Sequence, residues 1–310
     1  MLKNKFGILS LIVISASLVF SSSVLANIPL KSNTRGIKPN VVEHIAPPDN
    51  FTPLTATPED LKKYGFPQKP TNSTDLKEWK NAMENAKHYV KPIQTPSTSI
   101  HGLYSTGYAY NWAGYAVQSV YNGGVNYTRA WAQWNQPSYS GSADPSFWVG
   151  VGGYIYSGLV QAGADSNAPA QGGSNRYEFW VEDAPDGTIW EAAPAVSGGD
   201  NLYVIVEYHG SQSSAFLENV TTGNYTIVYF NSPHYDGTCA EIMHEAPGYV
   251  YGSWGTMNFT NANVGTSTSS GLFTNYNYTK VIMTNNGGSS GSWEAYPSSA
   301  SNGSFSVSSY

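Results

Sequence analysis

The 310-residue chain has one cysteine, Cys239, and a single thiol cannot close an internal disulfide. Stability must therefore come from a packed core. Positive charge is the second shortage. Beyond Tyr104 only Arg129, Arg176 and Lys280 are basic, against fourteen acidic residues, a net of −11. Phosphate backbones are gripped by Lys and Arg, so this part of the chain is not a nucleic-acid binder. With so few cations, few carboxylates have an ionic partner to lose on protonation, and self-repulsion falls as they protonate. That balance suits an acidic medium. Long apolar runs are also missing after the first 26 residues, and no later segment approaches the ~20 residues a membrane span requires.

The start of the chain has what the rest lacks. Lys3 and Lys5 precede a largely apolar run from Phe6 to Phe20, which closes on Val24-Leu25-Ala26. This is the pattern of a secretory signal peptide over residues 1–26, and it implies an extracellular protein with no membrane attachment once the leader is removed. Residues 27–104 carry ten basic and seven acidic residues, a net of +3, and read as a propeptide. Thr57 followed by Pro58, Glu59 and Asp60 is a helix start, predicting a helix over Pro58 to Tyr64 that stops before Gly65. Asp75 with Glu78 suggests a second start. Leu76, Trp79, Met83, Ala86 and Val90 then form one stripe, and Pro92 ends it.

From residue 105 to 310 the texture changes. Tyr, Trp, Gly, Ser, Asn and Thr dominate, and short apolar runs recur between turns such as Asn122-Gly123-Gly124, Asp186-Gly187 and Asn286-Gly287. Many short strands at this spacing indicate an all-β domain of antiparallel sandwich or barrel type. No helical stripe stands out, and the Ser/Gly-rich tail from Gly287 carries a last strand or loops.

Familiar catalytic patterns are scarce. The segment Glu241-Ile-Met-His244-Glu245 lacks the second histidine of a zinc motif, and strand alternation sends Glu241 and His244 to opposite faces, so no metal is expected. No Gly-x-Ser-x-Gly elbow marks a serine nucleophile, and nothing marks Cys239 as reactive. Carboxylates remain. Alternation puts Glu178, Trp180 and Glu182 on one strand face, and Glu241, Met243 and Glu245 on one face of another. Gln161 and Asp165 share a face of a third. Acids repeated beside tryptophans describe either a polar cleft or a solvated outer face.

These segments resemble the glutamic peptidases, the eqolisins. Asn-Trp-Ala-Gly-Tyr-Ala-Val (Asn111–Val117), Phe-Trp-Val-Gly-Val-Gly-Gly (Phe147–Gly153), Leu-Val-Gln-Ala-Gly-Ala-Asp (Leu159–Asp165), Tyr-Glu-Phe-Trp-Val-Glu-Asp-Ala-Pro (Tyr177–Pro185), Ala-Phe-Leu-Glu-Asn-Val-Thr-Thr-Gly (Ala215–Gly223) and Ala-Glu-Ile-Met-His-Glu-Ala-Pro (Ala240–Pro247) follow the family's order. The resemblance covers roughly Tyr110 to Val264 and implies a sandwich of two antiparallel sheets, similar to the concanavalin and glucanase architecture, with a cleft on a concave face. It implies that Gln161 and Glu245 are the catalytic pair, and that Trp112, Trp148, Asp165, Glu178, Trp180 and Glu182 line the cleft. The chain departs from the family at Ile242, where Trp is frequent, and at His244, where hydrophobic residues are usual. Glu241 is the alternative acid.

The activity so implied is hydrolysis of peptide bonds in acid, with protein or peptide substrates and no cofactor, by a monomer. Gln161 and Glu245 would activate a water, since an amide both donates and accepts and a carboxylate base has an ordinary pKa near 4.3. The +3 propeptide would dock on the −11 domain as an inhibitor, to be cut near Tyr104-Ser105 on acidification. A glycoside hydrolase using two carboxylates and a carbohydrate-binding sandwich are the rival readings. Gln161 speaks against the first and a removable propeptide against the second.

Overall fold

A computed structural model describes residues 41–42, 45–92, 94–96, 107–156, 158–167, 176–184, 187–191, 194–266 and 269–310. The expected signal peptide and the expected maturation site at Tyr104-Ser105 lie outside these. Residues 39–310 form one compact unit.

Two helices follow a two-residue strand, Val41–Val42. α1 spans Pro58–Tyr64, with Thr57 capping the Asp60 amide and Gly65 closing the other end in the left-handed region, as the sequence predicts. α2 spans Ser73–Asn85. Its cap is Asn72, whose side chain accepts from the Asp75 amide, so Asp75 sits inside the first turn rather than at the start. The helix also ends well before Pro92.

The domain that follows is built from β1 (Trp112–Gln118), β2 (Arg129–Asn135), β3 (Ser146–Gly152), β4 (Leu159–Asp165), β5 (Glu178–Ala184), β6 (Gly187–Glu191) and β7 (Asn201–Tyr208). It continues with β8 (Gln212–Asn219), β9 (Asn224–Asn231), β10 (Cys239–Glu245), β11 (Thr256–Gly265), β12 (Tyr278–Thr284), β13 (Trp293–Pro297) and β14 (Phe305–Ser309). The Ser/Gly-rich tail thus supplies two strands.

The strands form two antiparallel layers. The front sheet runs β6-β5-β4-β3-β10-β1-β12, and the back sheet runs β14-β11-β2-β7-β8-β9. β13 pairs with both β12 and β14 and joins the layers at one corner. The expected all-β sandwich is the observed fold.

Alternation along each strand separates three environments. Inward-facing Val149, Val151, Val160, Ala162, Phe179, Val181 and Ile242 of the front sheet meet Val204, Val206, Leu217, Val228 and Phe259 of the back sheet in the central core. The outer face of the front sheet carries Trp112, Trp148, Trp180 and Met243. The outer face of the back sheet carries Trp131, Tyr203, Ile205, Phe216, Tyr225 and Ile227, packed against Leu61, Phe66, Trp79, Ala82 and Met83 of the helical segment.

The sequence expectation for that segment was an electrostatic dock. The contact found is mainly apolar. Lys62, Lys63, Lys69, Lys77, Lys80, Lys87 and Lys91 are all exposed, so their charge faces water, and the helices lie on the back sheet rather than beside Gln161 and Glu245.

Candidate active site

Strand register arranges the outer face of the front sheet in three rows. Glu182, Gln161, Gly150 and Glu241 stand side by side on β5, β4, β3 and β10. Two residues along come Trp180, Gly163, Trp148 and Met243. Two further on come Glu178, Asp165, Ser146, Glu245 and, on β1, Trp112. Every predicted site residue is therefore on one face of one sheet, and all eight are buried.

Gln161 and Glu245 occupy the first and third rows, on the strands flanking β3, and Trp148 lies between them. Gly150 makes room for the indole. A Cβ at that position would sit 3.0 Å from Trp148 Cζ3, 2.8 Å from Leu159 Cδ1 and 3.3 Å from Gln161 Cβ. One end of the Trp148 ring therefore lies over β3 next to Gln161. The other end donates Nε1–H to Glu245 Oε2 at 3.0 Å. Trp112 packs edge-on against the same ring at 5.1 Å.

The second Glu245 oxygen, Oε1, accepts from Asn111 Nδ2 at 2.9 Å. Each carboxylate oxygen thus has a fixed N–H donor, and the group is held in one orientation. Asn111 is a site residue that sequence reasoning missed. It directly precedes β1, so strand alternation says nothing about where its side chain turns. Ser146 was also missed. It is the row neighbour of both Glu245 and Asp165, and its hydroxyl accepts from Trp180 Nε1 at 3.2 Å, beside the stronger contact from that nitrogen to Asp165 Oδ1 at 2.8 Å.

Gln161 Nε2 donates to Glu182 Oε2. An amide nitrogen has two hydrogens and the oxygen two lone pairs. Oε1 has no hydrogen-bond partner among the described residues, although the residue is fully buried. An unsatisfied buried acceptor costs about 1–3 kcal/mol, and such a group is retained where it serves a ligand.

Glu241 faces the same side, across Gly150 from Gln161. Burial pushes its carboxyl well above the ordinary range, with the repulsion of Asp236 adding to the effect. Burial thus favours the protonated form of Glu241 over the charged one. His244 faces the other way. It packs in the core between Phe147 at 5.0 Å and Trp254 at 4.7 Å, and its Nδ1 contacts the Ser146 carbonyl at 3.1 Å. Its departure from the family pattern thus falls behind the sheet, not in the site.

One prediction follows from the Trp148 contact. Trp148→Phe keeps an aromatic ring and deletes the donor to Glu245. A hydrogen bond to a charged group is worth about 1.5–3 kcal/mol, so kcat should fall roughly ten- to a hundredfold with the circular dichroism spectrum unchanged. A kcat within twofold of the parent would show that the indole N–H does not matter.

A model of the Peptidase A4 family matches residues 110–308. Aspergillopepsin-2 of Aspergillus niger is 26% identical over 216 residues, covering 59% of this chain and 76% of that protein. Two crystal structures of scytalido-glutamic peptidase, one with a transition state analog inhibitor and one with a peptide based transition state analog, align with TM-scores of 0.52 and 0.51. Their identities are 23% and 25%, and each alignment covers 65% of this chain and 98% of the other. The family match starts where the helical segment has ended and spans the whole sandwich, so the chain belongs to the Peptidase A4 family, the glutamic peptidases, and is a peptide-bond hydrolase.

Proposed function

We propose that the protein is a secreted acid endopeptidase in which Gln161 and Glu245 activate a single water. The observation that carries this reading is their placement on one buried face, on either side of Trp148, with an amide oxygen that has no partner among the described residues.

The chemistry follows from the donors and acceptors. Glu182 holds one Gln161 N–H, which leaves the second N–H and Oε1 for reactants. Oε1 accepts one hydrogen of the water. Glu245 takes the other as the water oxygen adds to the peptide carbonyl carbon. The free Gln161 N–H donates to the oxyanion that develops, a contribution of about 3–4 kcal/mol for a preorganised donor of this type. Glu245, now protonated, passes its proton to the leaving nitrogen, and the C–N bond breaks. Asn111 and Trp148 fix the base in place throughout. Trp112, Trp148 and Trp180 offer apolar walls to substrate side chains, while Asp165, Glu178 and Glu182 offer acceptors to its N–H groups.

The leader over residues 1–26 directs export and is removed. The connection between the helical segment and β1 restrains the enzyme until it is cut near Tyr104-Ser105. It includes Gln94–Pro96, which pairs with β6 at the edge of the front sheet. The enzyme acts as a monomer.

The test is incubation of the purified protein with a denatured protein substrate across the acid range, with and without a chelator and a serine-protease inhibitor. Cleavage that rises in acid and ignores both reagents is expected. Loss of cleavage with the chelator, or none at any acid pH, would overturn the proposal.

A further inference from the structure

The helical segment lies on the back sheet, on the far side of the sandwich from the catalytic face. We infer that residues 45–90 are a permanent structural subunit of the enzyme, held on the back sheet after the connection to β1 is cut, and not a removable inhibitor.

The surface beneath the segment is built to be covered. Trp131, Tyr203, Ile205, Phe216, Tyr225 and Ile227 come from four adjacent strands, β2, β7, β8 and β9, and all six are buried. Without the segment they would form one contiguous apolar patch, of a kind that soluble proteins rarely leave exposed. The segment fills it with Leu61, Phe66, Trp79, Ala82 and Met83. Phe66 stands 5.7 Å from Phe216 and 5.5 Å from Tyr225, ring to ring.

The polar contacts are as specific as the packing. Arg129 is buried beside Trp131, pairs with Glu207 at 3.2 Å, and donates to the Gln68 carbonyl at 3.4 Å. Asp75 of α2 is fully buried and accepts from Ser270 Oγ at 3.0 Å, while Asn72 Nδ2 donates to the Ser270 carbonyl at 2.8 Å. Asn261 Nδ2 donates to Glu78 Oε2 at 2.9 Å, and Tyr229 Oη donates to the Lys62 carbonyl at 3.0 Å. His88–Tyr89 adds a short parallel strand to β9, and Val90 N bonds the Tyr225 carbonyl at 2.8 Å. Gly65 shows how closely the two parts fit. Its φ is +75°, and a Cβ there would come within 2.6 Å of Ile227 Cγ2 and 2.8 Å of Tyr229 Cε2.

An inhibitor that leaves on acidification is held by charges that titrate. Here the lysines of the segment point to solvent, and the seam is mainly apolar. Cutting the chain beyond residue 96 leaves every contact named above in place.

The test does not depend on the catalytic reading. A recognition sequence for an unrelated protease is inserted between residues 100 and 101 of the Glu245→Gln chain, which is then cut with that protease and passed over a size-exclusion column at acid and neutral pH. The two pieces are expected to elute together at both, with a Tm within about 2 °C of the uncut chain. Separation of the small piece from the large one under either condition overturns the inference, whatever the stability of the large piece. Trp79→Ala supplies the second readout. Loss of a buried Trp should lower the Tm of the uncut chain by roughly 10 °C and let the cut pieces separate. An unchanged Tm would mean that the seam contributes nothing to the fold.

Discussion

Glu245→Gln is expected to abolish peptide cleavage at every pH while the protein stays folded. The substitution keeps the shape and leaves the Asn111 and Trp148 donors partly satisfied by the amide oxygen, but it removes the proposed base. Loss of a positioned acid–base group costs about two to four orders of magnitude in rate. Gln161→Ala should lose about a hundred- to a thousandfold, the usual effect of deleting one oxyanion donor. Glu241→Gln is the discriminating control. Its carboxyl shares a row with Gln161 and stays protonated in acid through burial, so the amide should substitute with kcat within about threefold. If Glu241→Gln were dead and Glu245→Gln active, the roles of the two acids would have to be exchanged.

His244→Leu is expected to make the protein more stable in acid, where the proposed activity lies. Burial lowers the His244 pKa from 6.5 to about 3, the Ser146 carbonyl opposing only in part. Below 6.5 the unfolded chain binds a proton that the folded chain refuses until about pH 3. Stability from this residue is therefore full above pH 6.5 and falls by about 1.4 kcal/mol per pH unit through that window. Leucine removes the dependence at the cost of one hydrogen bond to the Ser146 carbonyl, about 1 kcal/mol. Tm against pH should show the variant equal to or slightly below the parent near neutrality and well above it near pH 3–4. Parallel curves would mean that His244 binds its proton as easily folded as unfolded. Glu218 and Glu241 work in the opposite sense. Burial raises both well above the ordinary carboxylate range, so the stability they carry is complete in acid and is lost as pH rises above about 4.5. In acid the fold is favoured by those two and disfavoured by His244.

The faces of the strands were legible in the sequence because alternation is a property of the backbone. It placed Gln161 with Asp165, Glu178 with Trp180 and Glu182, and Glu241 with Glu245 on the sides they occupy, and it separated His244 from Glu241. Alternation alone left open whether those faces were a cleft or a solvated surface, and here they are buried. α1 was legible to the residue, since Thr57, Pro58 and Gly65 each carry a local reason for their position. α2 was not, because Asn72 and Asp75 are both cap-forming residue types, and here Asn72 is the cap while both also bond to Ser270, nearly two hundred residues away. Asn111 lay outside any periodic pattern. Where the helical segment docks was not legible, because a count of charges does not say where lysines point, whereas the stripe with Trp79 and Met83 already marked an apolar face in need of a partner.

In the proposed mechanism the Gln161 amide and the Glu245 carboxylate meet on one oxygen. A crystal structure of the protein with a peptide analogue carrying a tetrahedral hydroxyl in place of the scissile carbonyl tests it most directly. This hydroxyl oxygen is expected within hydrogen-bond distance of both Gln161 and Glu245, with Asn111 and Trp148 still on the carboxylate. A hydroxyl bound by Gln161 and Glu241, with Glu245 out of reach, would contradict it.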